Sequence, residues 1–255
     1  MSLSLEARTR AVRAALDQVT DPELDESVVE LGFITGIDIA GTGAVDIRFR
    51  LPTYWCAANF SYLMAADMRD AVRALPWVAS VAVTLDEHMF IDAINDGIAQ
   101  DKDFVDAFPT EAGNDLASIR LQFGLKAMER RQEALLRHLL AAGHDPVAFL
   151  SLDIAGLEAL ALDAAGAALR RRYLERRDLA GGLPRALVTS AGEPIMHETL
   201  PVYLRHISRV GLNAEFNGAL CRGLLAVRYA TPAALPAEPE LADFMRQGIA
   251  QTARP

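Results

Sequence analysis

The apolar residues between Phe33 and Leu85 change their spacing twice, and few folds accommodate that pattern. Phe33, Ile37 and Ile39 lead into the turn Gly41 to Gly43, and "VDIRFRL" then alternates Val45, Ile47, Phe49 and Leu51 with Asp46, Arg48 and Arg50. A period of two with one apolar side describes a hairpin that buries one face. After Cys56 the period lengthens: Phe60, Met64, Met68, Ala71 and Leu75 recur at helical spacing, and Pro76 marks the stop. "VASVAVTL" returns to strand spacing, with Val81, Val83 and Leu85 on one side. A helix is expected before the hairpin, with Leu5, Val12, Leu16 and Val19 near one face. The order helix, strand, strand, helix, strand predicts an α+β fold, a small sheet covered by helices and closing near residue 95.

Beyond that point the texture is helical. Leu125, Met128, Leu135 and Leu139 form an apolar stripe, Gly143 ends it, and Asp145 with Pro146 suits the start of another helix. "AGGLP", Ala180 to Pro184, is a break, and "TPAALPAEPE", Thr231 to Glu240, reads as a Pro/Ala linker. The expected division is an α+β domain over 1–95, a mainly helical region over 96–180, a mixed segment over 181–230, and a linker and tail over 231–255. The helical stripes also suggest self-association, a homo-oligomer.

Charge narrows the function. Of a net −9, residues 1–100 hold −8, from 7 Lys and Arg against 15 Asp and Glu. Nucleic-acid binding needs a basic footprint, so it is disfavoured. The charged start, with Glu6, Arg8, Arg10 and Arg13, does not read as an export signal. The most apolar later stretch, Leu152 to Leu169, is broken by Asp153, Glu158 and Asp163, which argues against a membrane span. A cytoplasmic protein is expected.

Few residues can carry chemistry. Cys56 and Cys221 are the only cysteines, too few for a disulfide framework and without the spacing of a closed zinc site. Cys56 falls where a strand hands over to a helix, so first-turn N–H groups could stabilise its thiolate; equally, a lone cysteine often packs as a small apolar group. In "TDPELDESVVELGF", Thr20 and Glu23 fit a capping box at a helix start, and Asp21, Glu23, Asp25 and Glu26 alternatively make an oxygen-rich metal surface. "LDEHMF" holds Asp86, Glu87 and His88 at a strand exit that reads as solvated, and His88 cannot be placed near Cys56. Asn213, Glu215 and Asn217 form a polar insertion ahead of Cys221, with Asn217-Gly218 suggesting a turn. "RRRYLERR", Arg170 to Arg177, reads as a solvated helix face or a dock for an acidic partner.

The ordered set Asp21-Pro22-Glu23, Leu31-Gly32, a hairpin, Thr53 with Cys56, a helix and a last strand resembles the metal-sulfur cluster assembly factor family, which includes SufT-like and PaaD-like proteins. The resemblance covers about residues 8–89. It implies a small α-β-β-α-β domain and a role in placing iron or iron-sulfur clusters in recipient proteins. It carries the family's functional positions onto Asp21, Glu23, Thr53 and Cys56, with Cys56, Glu23 and Asp21 as metal ligands for a transient iron or iron-sulfur cargo. Two departures stand out: Ala57 follows the cysteine where the family often has Pro, and Tyr54-Trp55 crowds its approach.

The expected function is therefore an accessory maturation factor rather than an enzyme, acting on a recipient metalloprotein or with other assembly proteins. Long relatives resemble accessory proteins of multicomponent di-iron monooxygenases, which suggests the recipient. The alternatives are a metal-free chaperone or scaffold in which Cys56 packs, and a thiol enzyme, which would need a positioned base.

Overall fold

The computed structural model describes residues 3–109, 115–181 and 184–229, and within the last helix it leaves out the side chains of residues 210 and 213–215. The tail expected over 231–255 lies outside the described residues. Helix α1 (Leu5–Leu16) opens the chain, its Ser4 side chain accepting from the Ala7 N–H. Val12 and Leu16 are buried, whereas Leu5 is 64% exposed and does not join the face expected for it.

The hairpin follows as β1 (Ile34–Ile39) and β2 (Ala44–Phe49), antiparallel, pairing Ile37 with Ile47 and Ile39 with Val45. Its turn needs glycine at Gly43, where φ is +90° and a Cβ would lie 2.7 Å from the Trp77 carbonyl oxygen. Helix α2 (Ala58–Arg73) then crosses over the sheet, and β3 (Ser80–Leu85) pairs parallel with β2, Ile47 opposite Val83 and Phe49 opposite Leu85. A parallel neighbour requires such a crossover, which is why the period had to change and change back. The sheet order is β1-β2-β3. Val45, Ile47, Phe49, Val83 and Leu85 bury the face that meets Met64, Met68 and Val72 of α2. Each such buried side chain contributes about 1.5–3 kcal/mol.

The fold is α+β. The core of this first layer continues past residue 95: α3 (Ile91–Ala99) supplies Ile94 and Ile98, and α4 (Phe104–Ala107) brings Phe104, stacked on Phe108. A second core forms around α5 (Leu116–Ala141), joined by α6 (Pro146–Ser151), α7 (Ile154–Ala159) and α8 (Ala164–Arg177). Met128, Leu135 and Leu139 lie in it as the stripe required, and Asp145 caps α6 through the Val147 N–H with Pro146 in the first turn. The last helix, α9 (Leu200–Tyr229), runs 30 residues. No helix among the described residues is long and apolar enough to cross a membrane.

Two local expectations give way to long-range contacts. "RRRYLERR" is solvated on one side only, at Arg171, Arg172 and Glu175. Tyr173 is buried, Arg170 donates to the carbonyls of Leu157 and Leu160, and buried Arg177 donates to those of Ala186, Gly181 and Arg185. Asn217-Gly218 is not a turn: it lies inside α9.

Candidate functional site

Thr20 to Phe33 packs as a compact turn instead of starting a helix. Thr20 bridges Ser27, and Asp21 Oδ1 accepts from the N–H groups of Glu23 (2.9 Å) and Leu24 (2.8 Å). The Asp21 carbonyl accepts from the Asp25 N–H, so one helical turn forms and stops, because Asp25 takes φ +54°. The capping chemistry read from the sequence is thus present, at Asp21 rather than Thr20, and it serves a single turn.

The long-range bonds of this turn show what its acids do. Asp25 is held by Arg131 through both carboxylate oxygens, at 2.7 and 2.9 Å, with Arg176 at 3.5 Å. Glu26 pairs with Arg222 at 2.6 Å, and Glu23 Oε1 accepts from Asn217 Nδ2 at 2.8 Å. Three of the carboxylates that could have formed an open metal surface therefore fasten the turn to α5, α8 and α9. Asp21 remains, buried, its carboxyl pushed above the usual range by desolvation although two N–H groups pull it down.

Cys56 sits in the loop between β2 and α2, half-buried, with half-buried Thr53 three residues before it. The loop is pinned from the far end of β3: Met89 N–H donates to the Tyr54 carbonyl at 2.9 Å, and His88 Nε2 lies 2.8 Å from the Cys56 carbonyl oxygen. Phe90 N–H donates to His88 Nδ1, which assigns the proton to Nε2 and makes it the donor to Cys56. His88 is buried, and desolvation holds its pKa below the ordinary histidine value. Both ring nitrogens are therefore engaged, Nε2–H with the Cys56 carbonyl and Nδ1 with the Phe90 N–H, which leaves no free lone pair to act as a base toward the thiol.

The thiol itself is quiet. Burial, then the charge of Asp21, push it up to about 11, against the pull of the Ser61 hydroxyl and the Ala57 N–H, with Cys221 adding to the rise. Stabilisation by the helix N-terminus, anticipated from position, is outweighed by desolvation. The Cys221 thiol is likewise pushed up, by burial first and then by the charges of Asp21 and Glu23.

Comparison with known proteins bears on this α-β-β-α-β layer. Residues 9–85 match the family of iron-sulfur cluster assembly proteins. This assembly domain is similar to the chloroplast iron-sulfur cluster assembly factor HCF101 of Oryza sativa subsp. japonica, 30% identical over 82 residues, which are 32% of this chain and 15% of the rice protein. It is also similar to an uncharacterized protein of Methanocaldococcus jannaschii, 29% identical over 82 residues, 84% of that protein. The chain thus spans a small part of the first relative and most of the second.

Of the positions carried over from the family resemblance, the Asp21 charge bears on the Cys56 thiol, Glu23 is bonded to Asn217, and Thr53 is half-buried in the cysteine loop. Among the described residues, no three His, Cys, Asp or Glu side chains are grouped so as to hold a metal ion. Sequence reasoning missed His88 as the pin of the cysteine loop. It missed Asn217 as the partner of Glu23, although the polar insertion before Cys221 was the signal.

Proposed function

We propose that this protein is a maturation factor that takes up iron or an iron-sulfur cluster at Cys56, with help from Asp21 or from a Glu23 released by Asn217, and passes it to a recipient metalloenzyme. The reading is supported by the match of residues 9–85 to iron-sulfur cluster assembly proteins, with the Asp21 charge bearing on the Cys56 thiol within that stretch. Cargo, in this reading, is a substrate rather than a resident cofactor. Iron supplies the positive charge that a protonated, buried thiol lacks: metal binding expels the proton, and the thiolate becomes the ligand. One thiol and two carboxylates cannot saturate a cluster, whose usual ligands are four cysteines, so a shared ligand set is expected during transfer.

A surface for a recipient lies beside the thiol. Trp55 is 71% exposed and Tyr54 49%, and with Met89 they place large apolar groups next to the cysteine loop. Exposed aromatics and methionine of this kind are enriched where proteins meet. For the recipient we favour a multicomponent di-iron monooxygenase, following the resemblance of long relatives of this domain. A thiol enzyme is disfavoured, since the thiol is protonated at neutral pH and His88 is committed elsewhere.

Anaerobic incubation with ferrous iron and sulfide, followed by iron and sulfide analysis, tests this. Wild type is expected to retain stoichiometric iron that Cys56→Ser, folded by circular dichroism, does not. Equal loading in both proteins, or none in either, would turn the reading toward a metal-free scaffold.

A further inference from the structure

Helix α9 has two sides, and only one is engaged among the described residues. On the inner side Asn217 donates to Glu23 at 2.8 Å, Arg222 reaches Glu26, and a Leu225 methyl carbon lies 3.7 Å from where a Cβ on Gly32 would be. The outer side carries Leu212, Phe216, Leu220, Leu224 and Val227, each three or four residues from the next, exposed by 59%, 64%, 51%, 37% and 79%. Ala219 and Gly223 share that side, so no charged residue interrupts it from Phe216 to Val227. A Cβ on Gly223 would meet open space among the described residues. A contiguous exposed apolar surface of this kind marks a contact. Surfaces that meet transient partners are about as polar as the rest of a protein, whereas this one lacks charge, which suits a permanent cover.

The sequence after α9 supplies one. Pro232, Pro236 and Pro239 oppose continuation of the helix beyond Tyr229. Leu241, Phe244, Met245 and Ile249 then recur at i, i+3, i+4 and i+8, the spacing of one helix face, with Asp243, Arg246 and Gln247 falling on the other. The connecting residues 230–240 reach at most about 36 Å when extended, enough to double back over Val227. As a helix, Leu241 to Ile249 would span about 12 Å, against about 17 Å from Phe216 to Val227. A segment tethered this closely has a high effective concentration and escapes the entropy of association that a second copy or a recipient must lose. We propose that residues 241–250, which lie outside the described residues, fold back as an antiparallel helix and cover the outer side of α9. The proposal is independent of the cargo reading above.

Photocrosslinking of the full chain tests it. p-Benzoylphenylalanine in place of Phe244 is expected to link to residues 212–227 within one chain, read by peptide mass mapping. Linkage to another surface, or none, would overturn the proposal; linkage between chains at α9 would overturn it too and give the face to a second copy. Separately, Phe244→Asp combined with Met245→Asp is expected to raise the fluorescence of the dye ANS about threefold, because uncovered apolar surface binds it, with far-ultraviolet circular dichroism showing the other helices intact. Adding Phe216→Asp and Leu220→Asp to that variant should abolish the rise. A rise that persists in the combined variant, or no rise with the tail substitutions alone, would show that the tail does not cover this face.

Discussion

Arg131→Ala is expected to lower the stability of the chain by about 3–5 kcal/mol, the usual consequence of removing one partner of a buried ion pair. The side chains of Arg131 and Asp25 are 9% and 6% exposed, and Asp25 sits at the positive-φ residue that ends the Asp21 turn. Truncating Arg131 leaves the Asp25 carboxylate with Arg176 at 3.5 Å and removes the bidentate bond that closes the turn against α5. Arg131 also holds Glu175, but that carboxylate is 54% exposed, so Glu175→Ala should cost no more than about 1 kcal/mol. Urea unfolding of the two variants beside wild type reads the difference. A midpoint for Arg131→Ala close to that of Glu175→Ala would show that the acidic turn is not fastened by this pair.

The second large effect is kinetic. In the folded protein Cys56 is expected to react with iodoacetamide at pH 8 about 100-fold more slowly than an ordinary thiol. Only the thiolate attacks, and a group at about 11 rather than 9.0 is thiolate ~100 times more rarely at that pH. Burial is the first cause and the Asp21 charge the second, so the rate should climb about tenfold per pH unit through pH 10 and return to ordinary values in urea. Peptide mapping separates Cys56 from Cys221. Fast alkylation of Cys56 at pH 6 would contradict the protonated thiol and revive the thiol enzyme.

The sheet and its crossover helix were legible because each is written in a local period. Val45, Ile47 and Phe49 can face a core only as a strand, and Met64 and Met68 can meet them only from a helix. Asp145-Pro146 was legible for the same reason, being a cap contained within a few residues. What escaped depends on partners far along the chain. The Thr20-Glu23 pattern looks like a helix start, yet Arg131, 106 residues away, holds Asp25 where the turn ends. Asn217-Gly218 has turn chemistry, and Gly costs a helix about 1 kcal/mol. The helix persists because Glu23 occupies the Asn217 side chain and Glu26 the Arg222 guanidinium. His88 looked like a solvated strand exit because neighbours on an extended chain diverge. Here Phe90 N–H donates back to its ring, and the bend aims Nε2 at Cys56.

Within the candidate site, Cys56 and Asp21 were nameable from order and spacing, through the family they resemble. Asn217 and Arg222 could not be joined to the acidic turn from sequence, since nothing local states that a helix so far along the chain returns to Glu23 and Glu26.

Delivery through Cys56 is tested most directly by transfer. Wild-type protein loaded anaerobically with iron and sulfide would be mixed with an apo-ferredoxin, and the visible circular dichroism of the acceptor's cluster followed against free iron and sulfide at the same concentration. Faster cluster formation from the loaded protein, with Cys56→Ser no better than free iron and sulfide, is the predicted result. Equal rates from wild type and Cys56→Ser would contradict the central claim that this thiol hands on the cargo.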